Sequence, residues 1–237
     1  MPEPSREKIW EMFNDISPTY DWVNTVLSLG LHQHCRKKLV EHLPQNPEIK
    51  LLDLATGTGD QIVALMESTD AIDQAIGIDP AEQMLQIGRA KIQDKFYDPK
   101  VELVVGNSEN LPFEDEVFDV VTISFGIRNV QSIQETLTQA KRVLKRGGKL
   151  LVLEFSLPEN RWVKPLYLFY LKRCLPWIGG CLSGNFSAYR YLNRTIETFP
   201  YGSAFLDILS QGEWYSLQAE PLVLGTMHIY SAEKGSV

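Results

Sequence analysis

Between residues 49 and 155 short apolar runs alternate with amphipathic stretches, and this alternation restricts the fold more than any other feature of the chain. Apolar runs stand at 49–55, 75–79, 101–105, 118–125 and 149–155, with helical spacing at 60–68, 81–95 and 131–145 between them. A strand buried on both faces reads as an unbroken apolar run, so such strands separated by helices predict a parallel sheet covered on both sides. Gly147-Gly148 is expected to stop the helix before the fifth strand. Residues 1–47 read as a helical preface, capped at Ser5 and broken at Ser17-Pro18. Residues 156–205 read as an aromatic, partly basic helical insertion, and 206–237 as closing strands at 214–219 and 222–231 that turn around Glu220-Pro221. The expected architecture is one α/β, Rossmann-like domain on a mostly parallel seven-stranded sheet, residues 48–155 forming its ligand-binding core. The preface and the insertion lie over the carboxyl edge, where open α/β sheets bind ligands.

Composition removes several classes of function. The chain has 237 residues and 44% apolar content, enough for a large buried core. Its net charge of -7 opposes nucleic acid as a partner. Three cysteines, Cys35, Cys174 and Cys181, have no C-x-x-C spacing, so neither a zinc site nor a disulfide framework is expected, and no metal. The opening residues, MPEPSREKIWEMF, hold no apolar stretch of signal-peptide length, and no segment approaches the roughly 18 apolar residues of a membrane span. The expected setting is the cytoplasm.

The first strand ends in LLDLATGTGD, residues 51–60. Glycine turns that close a strand commonly cradle phosphate, yet Asp53 and Asp60 bracket this one, and phosphate avoids carboxylates. A dinucleotide fingerprint starting at Gly57 requires glycine at position 62, where Ile62 stands, and no lysine follows the turn as a P-loop requires. Asp79, 20 residues beyond Gly59 at the end of the second strand, is placed to accept both hydroxyls of a ribose. Asp53 can organise the turn or meet an ammonium group. Asn107 and the backbone of Ser108 can bind an adenine edge, and Ser124 ends the fourth strand facing the same crevice. A ribose, a cationic amino-acid head and no phosphate describe S-adenosylmethionine.

The core resembles class I S-adenosylmethionine-dependent methyltransferases, and its flanks resemble one branch, the ubiquinone/menaquinone biosynthesis C-methyltransferases. YDWVNTVLSLGLH (20–32), LLDLATGTGD (51–60), SENLPF with FDVVTISFGIRNV (108–130), RVLKRGGKLLVLEFS (142–156) and YRYLNRTIETFP (189–200) carry the likeness. It implies that Thr58 touches the cofactor, Asp79 binds ribose, Asn107 and Ser108 hold adenine, and Ser124 sits near the methionine portion, with Gly57 and Gly59 allowing close backbone approach. The chain departs from the branch at Asn107, where aspartate is usual, and at Cys35, near which an aromatic is missing.

Methylating a quinol ring carbon requires alignment, exclusion of water, and either stabilisation of the phenolate or removal of its proton. Arg128 and Asn129 are candidates for that stabilisation, against the alternatives of a salt bridge and a helix cap. His32 is a candidate base, against a packing role. Tyr20 and Asp21 match the family segment and are expected in the lid. In the insertion, residues 161–182, aromatics and basic residues predict an entrance for a prenyl tail with peripheral contact at the inner face of a membrane, or a lid packed on the sheet or on a second subunit of a homodimer. The favoured acceptor is demethylmenaquinol. The benzoquinol of the ubiquinone route, another small hydrophobic molecule, and a noncatalytic assembly subunit are the alternatives.

Overall fold

The computed structural model describes residues 9–235. Five parallel strands form the body of the sheet: β1 (Ile49–Leu54), β2 (Ile72–Asp79), β3 (Val101–Val105), β4 (Phe118–Ser124) and β5 (Leu144–Phe155). β6 (Tyr215–Leu222) and β7 (Met227–Glu233) complete the order β3-β2-β1-β4-β5-β7-β6, with β7 antiparallel to both neighbours. Strand order reverses between β1 and β4, and the crevice beyond their carboxyl ends is the natural ligand site of such a sheet.

Burial explains the apolar runs. Leu51, Leu52 and Leu54 of β1 and Val120, Val121 and Ile123 of β4 are fully enclosed. Odd positions of β1 face α3 (Asp60–Met66) and α4 (Glu82–Asp94), while even ones face α5 (Ile133–Val143) and α9 (Ser203–Gln211). α5 begins where the Ser132 side chain accepts from the Glu135 backbone N–H at 3.1 Å.

A third apolar cluster lies above the carboxyl edge. It joins α1 (Ile9–Ser28) to α6 (Val163–Phe169), α7 (Leu175–Ser183) and α8 (Phe186–Thr198) through Ile16, Val23, Leu171, Leu175, Ala188 and Ile196. α2 (Leu31–Lys38) follows α1 after a turn at Gly30 in the left-handed region, φ 76°. The preface and the insertion thus make one helical roof.

Local expectations fail at four places. α1 runs unbroken through Pro18: the Asn14 carbonyl, which proline deprives of its helical donor, accepts from the Ser17 hydroxyl at 2.8 Å. Gly147-Gly148 does not stop a helix, because α5 ends at Val143 and both glycines lie inside β5. Gly147 has φ +73°, and a Cβ on Gly148 would stand 2.8 Å from the Lys145 carbonyl. The closing hairpin turns at Val223–Gly225, since Glu220 and Pro221 pair within β6, an edge strand that tolerates proline. Residues 206–237 are also not all strand, as α9 occupies their start. Ser5 lies outside the described residues.

Candidate active site

β1 delivers the chain into a tight turn. Ala55 and Gly57 adopt positive φ, 51° and 55°, and Gly59 at 74° opens α3. The Asp79 carboxylate, at the end of β2, accepts from the Gly57 N–H at 2.9 Å and the Ala81 N–H at 2.8 Å, fixing the turn against its neighbour strand. Burial pushes its pKa from 3.8 to about 6 despite those bonds, with a further rise from the charge of Asp53. Gly77 lies beneath, where a Cβ would meet Leu103 at 2.5 Å and Thr56 at 2.8 Å.

Gly57, Thr58, Asp79, Asn107, Ser108 and Ser124 line one cavity of about 220 Å³. Two other sequence candidates do not reach it. Asp53 is enclosed between β1 and β4 and accepts from Thr122 Oγ1 at 2.6 Å, so it braces strands and does not face a ligand ammonium. Gly59 sits over Ile92 and Gly88 of α4, where its role is the turn itself. The Ser124 hydroxyl donates to Gln61 Oε1 at 2.8 Å, and Gln61 is anchored to the Arg36 carbonyl at 3.2 Å.

Under the roof lies a second, larger cavity of about 540 Å³. Its walls are apolar side chains of α1, α7 and α8, among them Ile16, Leu27, Leu175 and Ile196, with Leu171 from the segment between α6 and α7. His32, Arg128 and Tyr20 also reach it. Phe13, Tyr20, Arg36, Phe125 and Asn129 line both cavities, so the two share one wall.

The candidate proton-handling groups have definite settings. His32 Nδ1 lies 2.6 Å from Ser28 Oγ, and burial, with the Arg36 charge, lowers its pKa to about 4. The ring is neutral at pH 7 and a weak base. Arg128, enclosed at the end of β4, forms an ion pair with the fully buried Glu154 of β5. Glu154 also accepts from the Phe155 N–H at 2.7 Å. The guanidinium of Arg128 therefore already has a counter-ion. Asn129 leaves its Oδ1 without a hydrogen-bond partner. Asp21 enters neither cavity: it accepts from Thr58 Oγ1 at 2.7 Å and from Lys91 Nζ at 2.8 Å, latching α1 onto the glycine turn. Among the described residues no cluster of His, Cys, Asp and Glu is placed to hold a metal ion.

The model of the ubiE/COQ5 methyltransferase family matches residues 1–234. The chain belongs to that family. A Geotalea daltonii ubiquinone/menaquinone biosynthesis C-methyltransferase UbiE is 39% identical over 228 residues, 96% of this chain and 97% of that protein. A Bacteroides fragilis demethylmenaquinone methyltransferase is 35% identical, covering 96% and 93%. Among solved structures, a SAM-dependent methyltransferase from Thermotoga maritima superposes with a TM-score of 0.66 at 20% identity over 95% of this chain and 99% of that one, which shows the shared fold.

Arg36, Gln61, Lys91 and Glu154 escaped the sequence reading. Glu154 had a signal: an acid ending an apolar strand needs a buried cation, and Arg128 ends the adjacent run. Lys91 and Gln61 gave none, since each sits on an amphipathic helix like any solvated polar residue.

Proposed function

We propose that this member of a methyltransferase family moves the methyl group of S-adenosylmethionine to a ring carbon of a prenylated quinol, with demethylmenaquinol as the acceptor. The observation that carries the reading is the shared wall: a small polar cavity at the strand ends adjoins a large apolar one under the roof. The polar cavity fits the donor. Asp79 supplies a carboxylate for ribose, the left-handed turn at Gly57 permits close approach without phosphate-binding lysine, and Asn107 and Ser108 offer polar groups to adenine. The apolar cavity fits a fused ring with the start of a polyprenyl tail. Relatives whose names specify demethylmenaquinone support the naphthoquinol, and those named for both quinones keep the benzoquinol as the second reading.

The donor supplies an electrophilic methyl on a sulfonium. Tyr20, Phe125 and Asn129 set the meeting point, and the roof excludes water from it. As the ring carbon of the ionised quinol bonds to the methyl, the carbon–sulfur bond breaks with its electron pair staying on sulfur, and the resulting ring ketone tautomerises, its ring hydrogen passing as a proton to the ketone oxygen. The Asp21–Thr58–Lys91 latch holds α1 closed over the turn.

The tail's origin suggests how the roof is used. Trp162, just before α6, Phe169 at its end and Trp177 of α7 are 75%, 60% and 69% exposed, too much for a lid packed on its own sheet. Tyr167 of α6 and Ile178 of α7 line the apolar cavity, and the exposed aromatics of the same region suit peripheral contact with a membrane. No helix among the described residues is long and apolar enough to cross one. The test is an assay of purified protein with methyl-labelled donor and a panel of reduced naphthoquinols and benzoquinols. Label in the demethylmenaquinol product is expected, and none in any quinol overturns the reading.

A further inference from the structure

Arg36 is the unexplained charge of this molecule. It is 8% exposed, and its Nε has no hydrogen-bond partner. Among the described residues no carboxylate forms an ion pair with it. Its guanidinium stacks on Phe125, 5.1 Å from the ring centroid. A buried cation without a contact partner is costly, and Arg36 is balanced only at longer range, chiefly by the Asp60 carboxylate whose pKa its charge lowers. Arg128, the other buried arginine of the site, is neutralised by Glu154. Arg36 lines both cavities, at the wall where donor and acceptor meet.

Resting on the quinol methyltransferase reading, we propose that Arg36 is the anion-holding residue of the acceptor site, binding the ionised hydroxyl oxygen of the quinol while the adjacent ring carbon attacks. No carboxylate among the described residues contacts the Arg36 guanidinium, although Asp60 and Asp53 both feel its charge. Asp60, at the start of α3, is occupied by Lys91 and Gln33. Asp53 in β1 is bonded to Thr122. His32 is a neutral ring on α2, and burial raises the Tyr20 phenol on α1 above its ordinary range, so neither supplies a counter-charge at neutral pH. The same chemistry, an anionic oxygen, also exists in the donor's carboxylate. The acceptor is favoured because Arg36 lines the apolar cavity as well as the smaller one, and the other cation of the apolar cavity, Arg128, is already paired in contact with Glu154.

The test compares wild type with Arg36→Met and Arg36→Lys. A 2-alkyl-4-nitrophenol serves as an acceptor mimic whose ionisation is read by absorbance, and donor affinity is measured by calorimetry. The bound phenol should ionise at least tenfold less readily in Arg36→Met, with donor affinity held within about threefold. Turnover of the quinol should fall roughly 10²-fold near pH 7 and recover as pH rises, and Arg36→Lys should restore most of it. Unchanged phenol ionisation in Arg36→Met overturns the proposal. So does a tenfold loss of donor affinity with unchanged turnover at saturating donor, which assigns the arginine to the donor's carboxylate. Failure of wild type to methylate any quinol would instead defeat the functional reading, while the nitrophenol titration still decides whether Arg36 holds an anion.

Discussion

Replacing Asp79 by alanine should separate ligand binding from folding. In the free protein the carboxylate accepts from the Gly57 and Ala81 N–H groups, and losing both partners costs about 1–3 kcal/mol each. An opposing gain comes from no longer burying a charge. The pKa stands at about 6 against 3.8, and at ~1.4 kcal/mol for each tenfold change in proton affinity this amounts to about 3 kcal/mol at neutral pH. That gain has a definite pH window: wild type keeps this stability below about pH 4 and loses it as pH rises through about 6, so the variant's relative gain is absent below about pH 4 and complete above about pH 6. The two effects nearly cancel, so Asp79→Ala should lose no more than about 3 kcal/mol of stability at pH 7. Donor binding should behave differently. Two charge-assisted bonds from ribose hydroxyls, at about 1.5–3 kcal/mol each, predict a loss of roughly 10²–10⁴-fold in affinity. Wild-type affinity should also fall about tenfold per pH unit below pH 6, as the acceptor carboxylate is protonated, and this component should be absent from the variant. Calorimetry at pH 8 and pH 5, with urea unfolding alongside, measures all three quantities. Equal donor affinity in wild type and a folded Asp79→Ala refutes the ribose role.

Glu154→Gln should destabilise the fold by about 3–5 kcal/mol in chemical denaturation, because Arg128 is left as an uncompensated buried charge, and the double variant Arg128→Met/Glu154→Leu should recover most of it. His32→Asn should keep turnover within about threefold. The buried neutral ring has its pKa at about 4, below the ordinary 6.5, so wild type loses this contribution as pH falls between those values, and relative stability should move toward the variant by up to about 3 kcal/mol from pH 7 to pH 4. Replacing Trp162, Phe169 and Trp177 together by serine should lower partition onto anionic vesicles by about 10²-fold or more in flotation, at ~1.5 kcal/mol for each aromatic, and leave turnover of a short-chain acceptor unchanged. Equal flotation of the triple variant would remove these residues from any membrane contact.

The parallel strands were legible because burial on both faces leaves most positions of β1 and β4 apolar, a pattern that survives without any knowledge of tertiary contacts. The strand-end cavity was legible for a related reason: a sheet of this topology brings strand ends together, so Asp79, Asn107 and Ser124 line one cavity. What stayed hidden depended on partners distant in the chain. Pro18 looked like a helix break because the Ser17 hydroxyl that repairs it also resembles a cap. Gly147-Gly148 resembled a helix stop, although their freedom serves close packing at the start of β5. For Asp53 the sequence leaves open a role in the turn or contact with an ammonium group, and only the Thr122 hydroxyl on the neighbouring strand shows that it braces β1 against β4. Arg36 sits in a basic run, RKK, with two lysines that are partly exposed, and only the packing of α2 over Phe125 distinguishes it.

The claim beneath all of this is that a phosphate-free nucleoside occupies the strand ends with its sulfur turned toward the wall shared with the apolar cavity. A crystal structure of the complex with S-adenosylmethionine tests it most directly. Both ribose hydroxyls should lie within about 3 Å of the Asp79 carboxylate, with the methyl group facing Tyr20, Phe125 and Asn129. A ribose bound away from Asp79, or a methyl directed to solvent, would contradict it.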